Sequence, residues 1–387
     1  MTLVEFFDDI AIHNAFSSLL FHPDRLILVG KDKRKMDAFR LRLQSVFLLR
    51  GLRTKIEILV INSKNYQEVL HQFEKLLQVY TDCYFDITDG EESMLVAVGA
   101  LSAKHTIPMH TVHPIHGSFS PINGFSYPTA HSIQLRISEL IALYGGKMTE
   151  SFAPNPQDNF TRQACMDAWD ICKQNCSAWN SAISTIRAAR AFEDDLNISI
   201  RKSAISSATN RSNMQKFLDS LAAKKLIENY RSTNLTISFS YPNEIIRHML
   251  TKEGSVLELY TYYAAYGNTY TAPFDIKTGV VIDWQTNHTP DHKDDVLNEI
   301  DVLLTENAAP VFISCKNGMT DTNELYKLFV VAERFGGMYA KKMIVLTHFK
   351  PDAAFKERAR SLGIAVLENV HRLSFDTFQK TLTDFIH

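Results

Sequence analysis

The stretch that decides the fold spans residues 298–316 and reads Asn298-Glu-Ile-Asp-Val-Leu-Leu-Thr-Glu-Asn-Ala-Ala-Pro-Val-Phe-Ile-Ser-Cys-Lys316. Two runs rich in Val, Ile and Leu flank a polar turn at 305–307, a pattern that predicts a β-hairpin. Because side chains alternate between the faces of a strand, Glu299 and Asp301 share one face of the first strand. The hairpin therefore predicts an acid and a lysine, Lys316, close together at the mouth of a buried sheet.

This pairing of side chains has two interpretations. A carboxylate can hold a hard cation such as Mg²⁺, and a nearby ammonium can orient water or stabilise the charge of a phosphoryl-transfer transition state. That is the arrangement of metal-dependent phosphodiester hydrolysis. The same spacing fits an edge hairpin whose Asp301 and Lys316 form an exposed ion pair, and spacing alone does not separate the two.

Length and composition describe an ordinary globular protein. The 387 residues suffice for two or three domains with a large core. A formal net charge of -2 gives no overall attraction to nucleic acid, so a site for a polyanion would have to be a local basic patch. No stretch is long and apolar enough to span a bilayer, and an odd count of 5 cysteines suits a reducing cytoplasm. The expected protein is cytoplasmic, without a membrane partner.

The N-terminal third alternates strands with helices. Residues 1–24 predict a helical lead-in. The following segments are predicted as strands at 25–30, 55–62, 83–88 and 107–112, and as helices at 36–49, 66–80 and 91–104. Such alternation predicts a parallel, Rossmann-like sheet, whose ligands bind beyond the carboxyl ends of the strands.

Two loops are expected at that edge of the sheet. The first is 30–35, which is rich in lysine. The second is 86–93, where Gly90 allows close backbone approach, Thr88 and Ser93 offer hydroxyls, and the start of a helix attracts phosphate. The lysines equally fit a solvated loop, and Thr88 a helix cap. No Gly-x-Gly-x-x-Gly motif is present, so a dinucleotide coenzyme is not expected.

The middle and the C-terminal part are predicted more coarsely. A connector rich in proline and glycine at 113–160 precedes a helical stretch at 161–192. A helix at 213–225 and short strands at 226–230 and 235–241 resemble a winged-helix unit, and the scarcity of lysine on it favours a spacer over a DNA-binding role. Cys165, Cys172 and Cys176 have helical spacing and predict a packed helix face rather than a zinc site.

The C-terminal part is predicted as an α/β core. Helices are expected at 254–266 and 324–335 and through Arg360, and strands at 280–284, 342–346 and 364–367. The second helix would end at Gly336-Gly337. Its Glu324 and Glu333 could face the cleft, although the pattern of the family that the chain resembles, described below, implies structural roles for them. The polar loop at 287–296, with His288, Asp291 and His292, predicts a solvated loop rather than a metal site.

Three motifs carry a resemblance to a known family. Asn298-Glu299-Ile300-Asp301 followed by Phe312-Ile313-Ser314-Cys315-Lys316-Asn317-Gly318 resembles the PD-(D/E)xK nuclease domain of the CRISPR-associated nucleases that cyclic oligoadenylates activate. Gly254-Ser255-Val256-Leu257-Glu258 matches the helix that supplies an acid to that site. Asp86-Ile87-Thr88-Asp89-Gly90, with a first strand that ends on glycine, resembles the CARF domain, the CRISPR-associated Rossmann sensor.

The resemblance implies an α/β chain of three units. These are a Rossmann-like CARF sensor at 1–150, a helical, winged-helix-like linker at 151–245 and a PD-(D/E)xK nuclease domain at 246–387. The implied protein is a homodimer of antiviral CRISPR defence that a cyclic oligoadenylate, expected to be cyclic tetra-adenylate, activates to cleave DNA or RNA. The implied activator-binding residues are Gly30, Lys31, Asp32, Lys33, Thr88, Gly90 and Ser93.

The implied catalytic residues are Glu258, Asp301 and Lys316. Mg²⁺ or Mn²⁺ would be held by Asp301, by Glu258 and by the backbone carbonyl of Cys315, with Glu299 as the alternative carboxylate. Glu299 lies about 6–7 Å along the strand from Asp301, so one ion cannot easily contact both, and Glu258 ranks first.

Two positions depart from the family pattern. Ser314 stands where a Glu or Asp is usual, so either one metal ligand comes from elsewhere or the metal affinity is weaker. The replacing ligand would be Glu258, Glu299 or a phosphate oxygen of the substrate. If Ser314 disables the site, the chain would be an inactive nucleic-acid binder or, with a dominant winged helix, a ligand-responsive transcription regulator. Asp89 stands where a second glycine is common, which adds negative charge that Lys31 and Lys33 are expected to offset.

Overall fold

The computed structural model describes residues 1–124, 126–127, 132–189, 196–205, 207–267, 272–284 and 297–387. The predicted polar loop with His288, Asp291 and His292 lies outside these residues. All five cysteines are buried, free thiols. In the described part of the chain, no helix combines the length and the apolar character needed to cross a membrane.

The N-terminal unit is the predicted alternation of strands and helices. Its elements are β1 (Thr2–Phe6), α1 (His13–Phe21), β2 (Arg25–Gly30), α2 (Lys33–Leu49), β3 (Lys55–Val60), α3 (Tyr66–Val79), β4 (Cys83–Asp86), α4 (Glu92–His105), β5 (Met109–His113), β6 (Ser118–Pro121) and α5 (Ile137–Leu143). The strands form one sheet in the order β3-β2-β1-β4-β5-β6, and every pair is parallel except β5 with β6.

The first residues are where the sequence-based expectation is wrong. The sequence predicts a helical lead-in over 1–24, and α1 confirms it for residues 13–21. Residues 2–6 are instead strand β1, which lies between β2 and β4 near the centre of the sheet. All five of its side chains are buried, including Glu5, whose pKa burial raises. A strand buried on both faces has no alternation between polar and apolar side chains, so a run of five residues carries little periodic signal.

The middle of the chain is helical with a small sheet, as predicted. Its elements are β7 (Lys147–Phe152), α6 (Asn159–Cys172), α7 (Cys176–Ala189), β8 (Asn197–Arg201), α8 (Ala208–Ala223), β9 (Glu228–Ser232), β10 (Thr236–Ser240) and α9 (Glu244–Met249). Strands β8, β10 and β9 form an antiparallel sheet in that order, which is the winged-helix-like arrangement. Trp169 of α6 and Trp179 of α7 are fully buried in the core of this part.

The C-terminal unit is built on a second six-stranded sheet. Its elements are α10 (Ser255–Tyr266), β11 (Asp275–Asp283), β12 (Leu297–Glu306), β13 (Ala309–Asn317), α11 (Thr322–Gly336), β14 (Lys341–Thr347), α12 (Ala353–Ser361), β15 (Ile364–Leu367) and α13 (Phe375–Ile386). The strand order is β15-β14-β13-β12-β11-β7. Strands β11, β12 and β13 pair antiparallel, whereas β13, β14 and β15 are parallel. The last strand, β7, comes from the predicted connector.

The predicted hairpin is β12 and β13, and its turn lies later than expected. Thr305 and Glu306 still belong to β12, opposite Pro310 and Ala309. The connection is therefore only two residues long, and Asn307 adopts a left-handed conformation with φ 55°. Asn tolerates this conformation better than most residues, which explains how so short a turn closes here.

The N-terminal and C-terminal units share one hydrophobic core. Phe39 and Leu43 of α2, Leu140 of α5 and Phe335 of α11 belong to the same buried cluster. The hydroxyl of Tyr144, directly after α5, donates to the carbonyl of Gly336 at 3.3 Å. Helix α11 therefore ends against the N-terminal unit.

Candidate functional site

The hairpin places Asp301 and Lys316 in one cleft, as the sequence predicts. The Oδ2 atom of Asp301 accepts the backbone N–H of Cys315 at 2.6 Å and the hydroxyl of Ser314 at 3.1 Å. The Nζ atom of Lys316 lies 3.5 Å from the same oxygen. Asp301 is therefore held in place by the neighbouring strand, with its second oxygen, Oδ1, left outside these contacts.

Lys316 makes a closer contact with a helix than with Asp301. Its Nζ atom lies 2.9 Å from Oε2 of Glu324, in the first turn of α11. Burial lowers the pKa of Lys316, but Asp301 and Glu324 outweigh it and raise that pKa above its usual value. The ammonium is thus firmly protonated. Of the two glutamates that could face the cleft, Glu324 lines it, whereas Glu333 pairs with Lys342 at 2.6 Å.

Glu258 is a buried carboxyl group directed inward from α10, as its apolar neighbours predict. Its side chain is only 3% exposed, and its Oε2 atom has no hydrogen-bond partner among the described residues. Burial first, and then the charge of Asp301, raise the pKa of Glu258 to about 8. Gly254 makes room for this carboxyl, because a Cβ atom there would lie 2.9 Å from Oε1 of Glu258.

Lys252 lies beside the cleft and was not predicted from the sequence. It lies between α9 and α10 and forms an ion pair with Glu299, while its Nζ atom is 3.8 Å from Oε1 of Glu258. It therefore links the two carboxylates that compete as the second metal ligand. No sequence signal marks it, because Lys252 and Glu299 are 47 residues apart.

The donor atoms of this cleft suit a hard divalent cation. Carboxylate and carbonyl oxygens are the ligands that Mg²⁺ and Mn²⁺ take. A buried carboxyl oxygen without a partner is rare in proteins, and a bound cation would satisfy the free oxygen of Glu258. The cleft has a volume of about 400 Å³ and is lined by Glu299, Asp301, Ser314, Lys316 and Glu324 among others. The residues thus fit a metal ion, and the backbone carbonyl of Cys315 stays a predicted third ligand.

A second cavity lies at the carboxyl ends of β1, β2 and β4, where the sequence predicts a ligand site. Its volume is about 390 Å³, and it is lined by Phe7, Asp8, Asp9, Gly30, Lys31, Asp32, Lys35, Asp89, Gly90, Glu91 and Met94. Gly90 is required there: its φ is 125°, and a Cβ atom would lie 2.8 Å from Cβ of Phe6. Four of the seven predicted activator residues thus line this cavity.

The other three predicted activator residues have partners within the protein. Lys33 pairs with Asp37 one turn along α2, at 2.6 Å. The hydroxyl of Thr88 donates to Asp86 and accepts the backbone N–H of Val112, and the hydroxyl of Ser93 donates to the carbonyl of Ser63. None of the three lines this cavity, so their contact with an activator stays a prediction.

The charge of Asp89 is offset by a residue that was not predicted. Its carboxylate pairs with Nδ1 of His13, a buried residue at the start of α1. Burial lowers the pKa of His13, but hydrogen bonds with Asp8, Asp89 and Tyr339 outweigh it and raise that pKa to about 10. The expected lysines do not perform this role, since Lys31 pairs with Glu91 and Lys33 with Asp37.

The chain was compared with known proteins at the levels of sequence and structure. No protein-family model matches it, and no curated protein does. Protein VC1899 from Vibrio cholerae shares its fold with a TM-score of 0.77 and 18% identity, over 100% of this chain and 97% of that one. Can2 from Sulfobacillus thermosulfidooxidans, in complex with cyclic tetra-adenylate, shares it with a TM-score of 0.67 and 17% identity, over the same shares of the chains.

These likenesses extend over the full length of the chain, so they include both sheets and the helices between them. At such low identity they establish the fold and not the roles of single residues. The chain therefore has the full-length α/β fold of VC1899 and Can2, which confirms the predicted α/β architecture. The sensor and nuclease roles of its units stay predictions.

Proposed function

We propose that this protein is a metal-dependent nuclease of CRISPR defence that a cyclic oligoadenylate activates to hydrolyse phosphodiester bonds of DNA or RNA. One observation carries the proposal: Glu258, which has a buried carboxyl oxygen without a hydrogen-bond partner among the described residues, is linked through Lys252 to Glu299. Glu299 lines the same cleft as Asp301 and Lys316. A site of oxygen donors with a fixed ammonium beside it suits phosphodiester cleavage.

In this proposal the acids of the cleft hold Mg²⁺ or Mn²⁺. Asp301 and Glu258 are the carboxylate ligands, with Glu299 as the alternative to Glu258 and the carbonyl of Cys315 as a further ligand. A cation bound there supplies Lewis-acid activation of the phosphate and lowers the pKa of a bound water. The Ser314 hydroxyl and the Cys315 N–H keep Asp301 oriented toward the cleft.

Lys316 is the electrostatic group of the proposed site. Its raised pKa keeps a positive charge beside Asp301 at neutral pH. A fixed charge at that position stabilises the negative charge that develops on a phosphoryl group during cleavage. Its contact with Glu324 must loosen for the ammonium to reach a substrate, so Glu324 controls how available this charge is.

The cavity of the N-terminal sheet is the proposed activator site. Can2, which has the same fold, was solved in complex with cyclic tetra-adenylate, which supports that ring as the activator. The start of α4 and the lysines of the cavity, Lys31 and Lys35, would meet its phosphates. A cyclic ligand with internal symmetry suits a site on the two-fold axis of a homodimer, and five buried free thiols suit the cytoplasm.

Labelled DNA and RNA, each single- and double-stranded, provide the test. Each substrate is incubated with the protein in Mg²⁺, in Mn²⁺ or in chelator, with and without cyclic tetra-adenylate. The proposal expects cleavage that needs both the metal and the activator. Cleavage in chelator would contradict the metal-dependent assignment, and equal cleavage without the activator would contradict the sensor assignment.

Ser314 supports a second candidate function. Because the usual acid is absent there, the chain could bind nucleic acid in response to the ligand without cleaving it, as an inactive nuclease or a transcription regulator. The same incubations decide between the two. Ligand-dependent retention of a labelled duplex with no cleavage in Mg²⁺ or Mn²⁺ would support this candidate and overturn the first.

A further inference from the structure

Helix α11 reaches both functional regions of the molecule. Its first turn carries Glu324, which pairs with Lys316 in the cleft, and the turn after its last residue carries Tyr339. At a rise of 1.5 Å per residue, its fifteen residues span about 22 Å. We propose that His13 and Tyr339 connect the activator cavity to α11, so that activator binding shifts this helix and changes the pairing of Lys316.

The N-terminal end of this connection lies in the wall of the cavity. Asp8 and Asp89 both line it. His13 is 7% exposed, and its Nδ1 atom pairs with Asp89 and lies 3.6 Å from Oδ2 of Asp8. A ligand that enters the cavity therefore comes next to the two carboxylates that hold His13.

The other ring nitrogen of His13 contacts the C-terminal unit. Its Nε2 atom lies 2.6 Å from the hydroxyl oxygen of Tyr339, and the two rings are 5.3 Å apart between centroids. Tyr339 ends the short 3-10 helix Gly337–Tyr339, which follows α11 directly. With both nitrogens protonated, the imidazolium donates to Asp89 on one side and to Tyr339 on the other. One side chain thus bridges the cavity and the end of α11.

The expected effect of the ligand follows from charge. Phosphate groups in the cavity would add negative charge beside Asp8 and Asp89, the two carboxylates that contact His13. The carboxylates would be repelled, and His13 would change its position relative to Tyr339. A ligand activates only if it binds the active arrangement of the protein more tightly than the resting one. In this proposal, the His13–Tyr339 contact differs between the resting and the active arrangement.

At the other end of α11 the helix holds the active-site lysine. The Lys316 ammonium is 2.9 Å from Glu324 and 3.5 Å from Asp301, so the closer partner is the helix. A small displacement of α11 would lengthen the first contact and free the ammonium for a phosphate. Packed helices shift by about 1–2 Å in such transitions, which is enough to break an ion pair of this length.

This inference rests on the proposed function, and the variant Tyr339→Phe tests it. The change removes the hydroxyl that meets His13 and keeps the ring, so the fold is retained. The expected result is cyclic tetra-adenylate binding close to the parent's by calorimetry, unchanged cleavage without activator, and an activation ratio reduced by at least about fivefold, the lower end of typical coupling between sites. Parent-like activation of Tyr339→Phe would overturn the connection.

The matched control is Tyr326→Phe. Tyr326 lies on α11 as well, but its hydroxyl contacts Arg358 on α12 and not the N-terminal unit. It should be activated like the parent. If both variants lose activation equally, the effect belongs to α11 in general, and the specific role of the His13–Tyr339 contact is contradicted.

Hydrogen exchange provides a readout that does not need cleavage. The backbone amides of 336–340 should change their exchange on addition of cyclic tetra-adenylate in the parent and in Tyr326→Phe, but not in Tyr339→Phe. A parent that shows this change without cleaving any substrate would overturn the nuclease function and support the connection. A parent that does not bind cyclic tetra-adenylate would overturn both.

Discussion

The cleft and the cavity are both rich in acids, but their charges are balanced in different ways. In the cavity three acids are paired with cations: Glu91 with Lys31, Asp9 with Lys35, and Asp89 with His13, which also lies near Asp8. Beside the cleft, one oxygen of buried Glu258 lacks a hydrogen-bond partner among the described residues. An added cation would thus find a carboxyl oxygen without a partner beside the cleft, whereas these three acids of the cavity are already paired with cations.

The pKa values of Glu258, beside the cleft, and of Asp89, in the cavity, are shifted in opposite directions. Burial and the charge of Asp301 raise the pKa of Glu258 to about 8, although Lys252 opposes this. Burial also raises the pKa of Asp89, but hydrogen bonds to His13 and Asp8 outweigh it and lower that pKa below its usual value. A cation bound between Glu258 and Asp301 would therefore stabilise the ionised form of Glu258. An anionic activator in the cavity has to draw lysines away from their acids, which links its binding to a rearrangement.

The largest expected effect is at Asp301. In Asp301→Asn the amide cannot replace the carboxylate as a metal ligand, and we expect cleavage to fall by at least about 10²–10³-fold, the range found when one preorganised electrostatic group is removed. Initial rates at saturating Mg²⁺ and activator measure this. Cys315→Ala is the matched control, since only its backbone is used, and it should stay active. Retained activity of Asp301→Asn would move the site elsewhere.

The second prediction separates the two candidate carboxylates. Glu258→Gln should reduce turnover about as severely as Asp301→Asn, whereas Glu299→Gln should have a smaller effect because Glu299 is 43% exposed and pairs with Lys252. Turnover of both variants under the same conditions decides this. A Glu258→Gln protein that cleaves at the parental rate, together with an inactive Glu299→Gln protein, would reverse the ranking.

The third prediction uses the pH dependence of stability in the metal-free protein. The pKa of Glu258 is about 8 in the folded protein and 4.5 ordinarily, so between these values the folded protein keeps a proton that the unfolded chain has lost. Stability therefore falls as pH rises, by up to about 1.4 kcal/mol per pH unit from this group. Glu258→Gln should lack that part of the slope in urea unfolding with chelator. Equal slopes for parent and variant would show that Glu258 titrates normally.

The smallest effect is expected in the cavity. Glu91→Gln releases Lys31 from its ion pair and removes a negative charge, so cyclic tetra-adenylate should bind about two- to fivefold more tightly, as expected for an exposed pair. Lys31→Ala should weaken binding. Calorimetry measures both, with Lys55→Ala, at the amino end of β3, as the control. Weaker binding by Glu91→Gln would mean that the acids of the cavity assist the ligand rather than oppose it.

Local patterns account for what could be predicted from the sequence. The helices and strands of the N-terminal unit repeat at regular intervals, and the hairpin register follows from alternation, so the pattern of side chains alone places Asp301 and Lys316 together. Glu258 could be placed because its neighbours on α10 are apolar. Strand β1 could not be recognised, because a strand buried on both faces has no alternation.

The missed site residues have a different cause. Lys252 and His13 act through partners that are distant in sequence: Lys252 through Glu299, and His13 through Asp89 and Tyr339. Nothing in the sequence next to these residues distinguishes them from surface charges. For His13, the expectation of helix is confirmed by α1, but its position beside the strand ends of the N-terminal sheet could not be predicted because β1 was not recognised.

The binding of Mn²⁺ to the activator-free protein tests the central difference between cleft and cavity most directly. Among the described residues, the cavity offers the one set of three side chains with ligating atoms within 4.8 Å of one another, Asp8, His13 and Asp89. Calorimetry of the parent, Glu258→Gln and Asp89→Asn compares the two regions. We expect the parent and Asp89→Asn to bind one Mn²⁺ per chain, and we expect Glu258→Gln not to bind it. Binding that survives in Glu258→Gln and disappears in Asp89→Asn would contradict it.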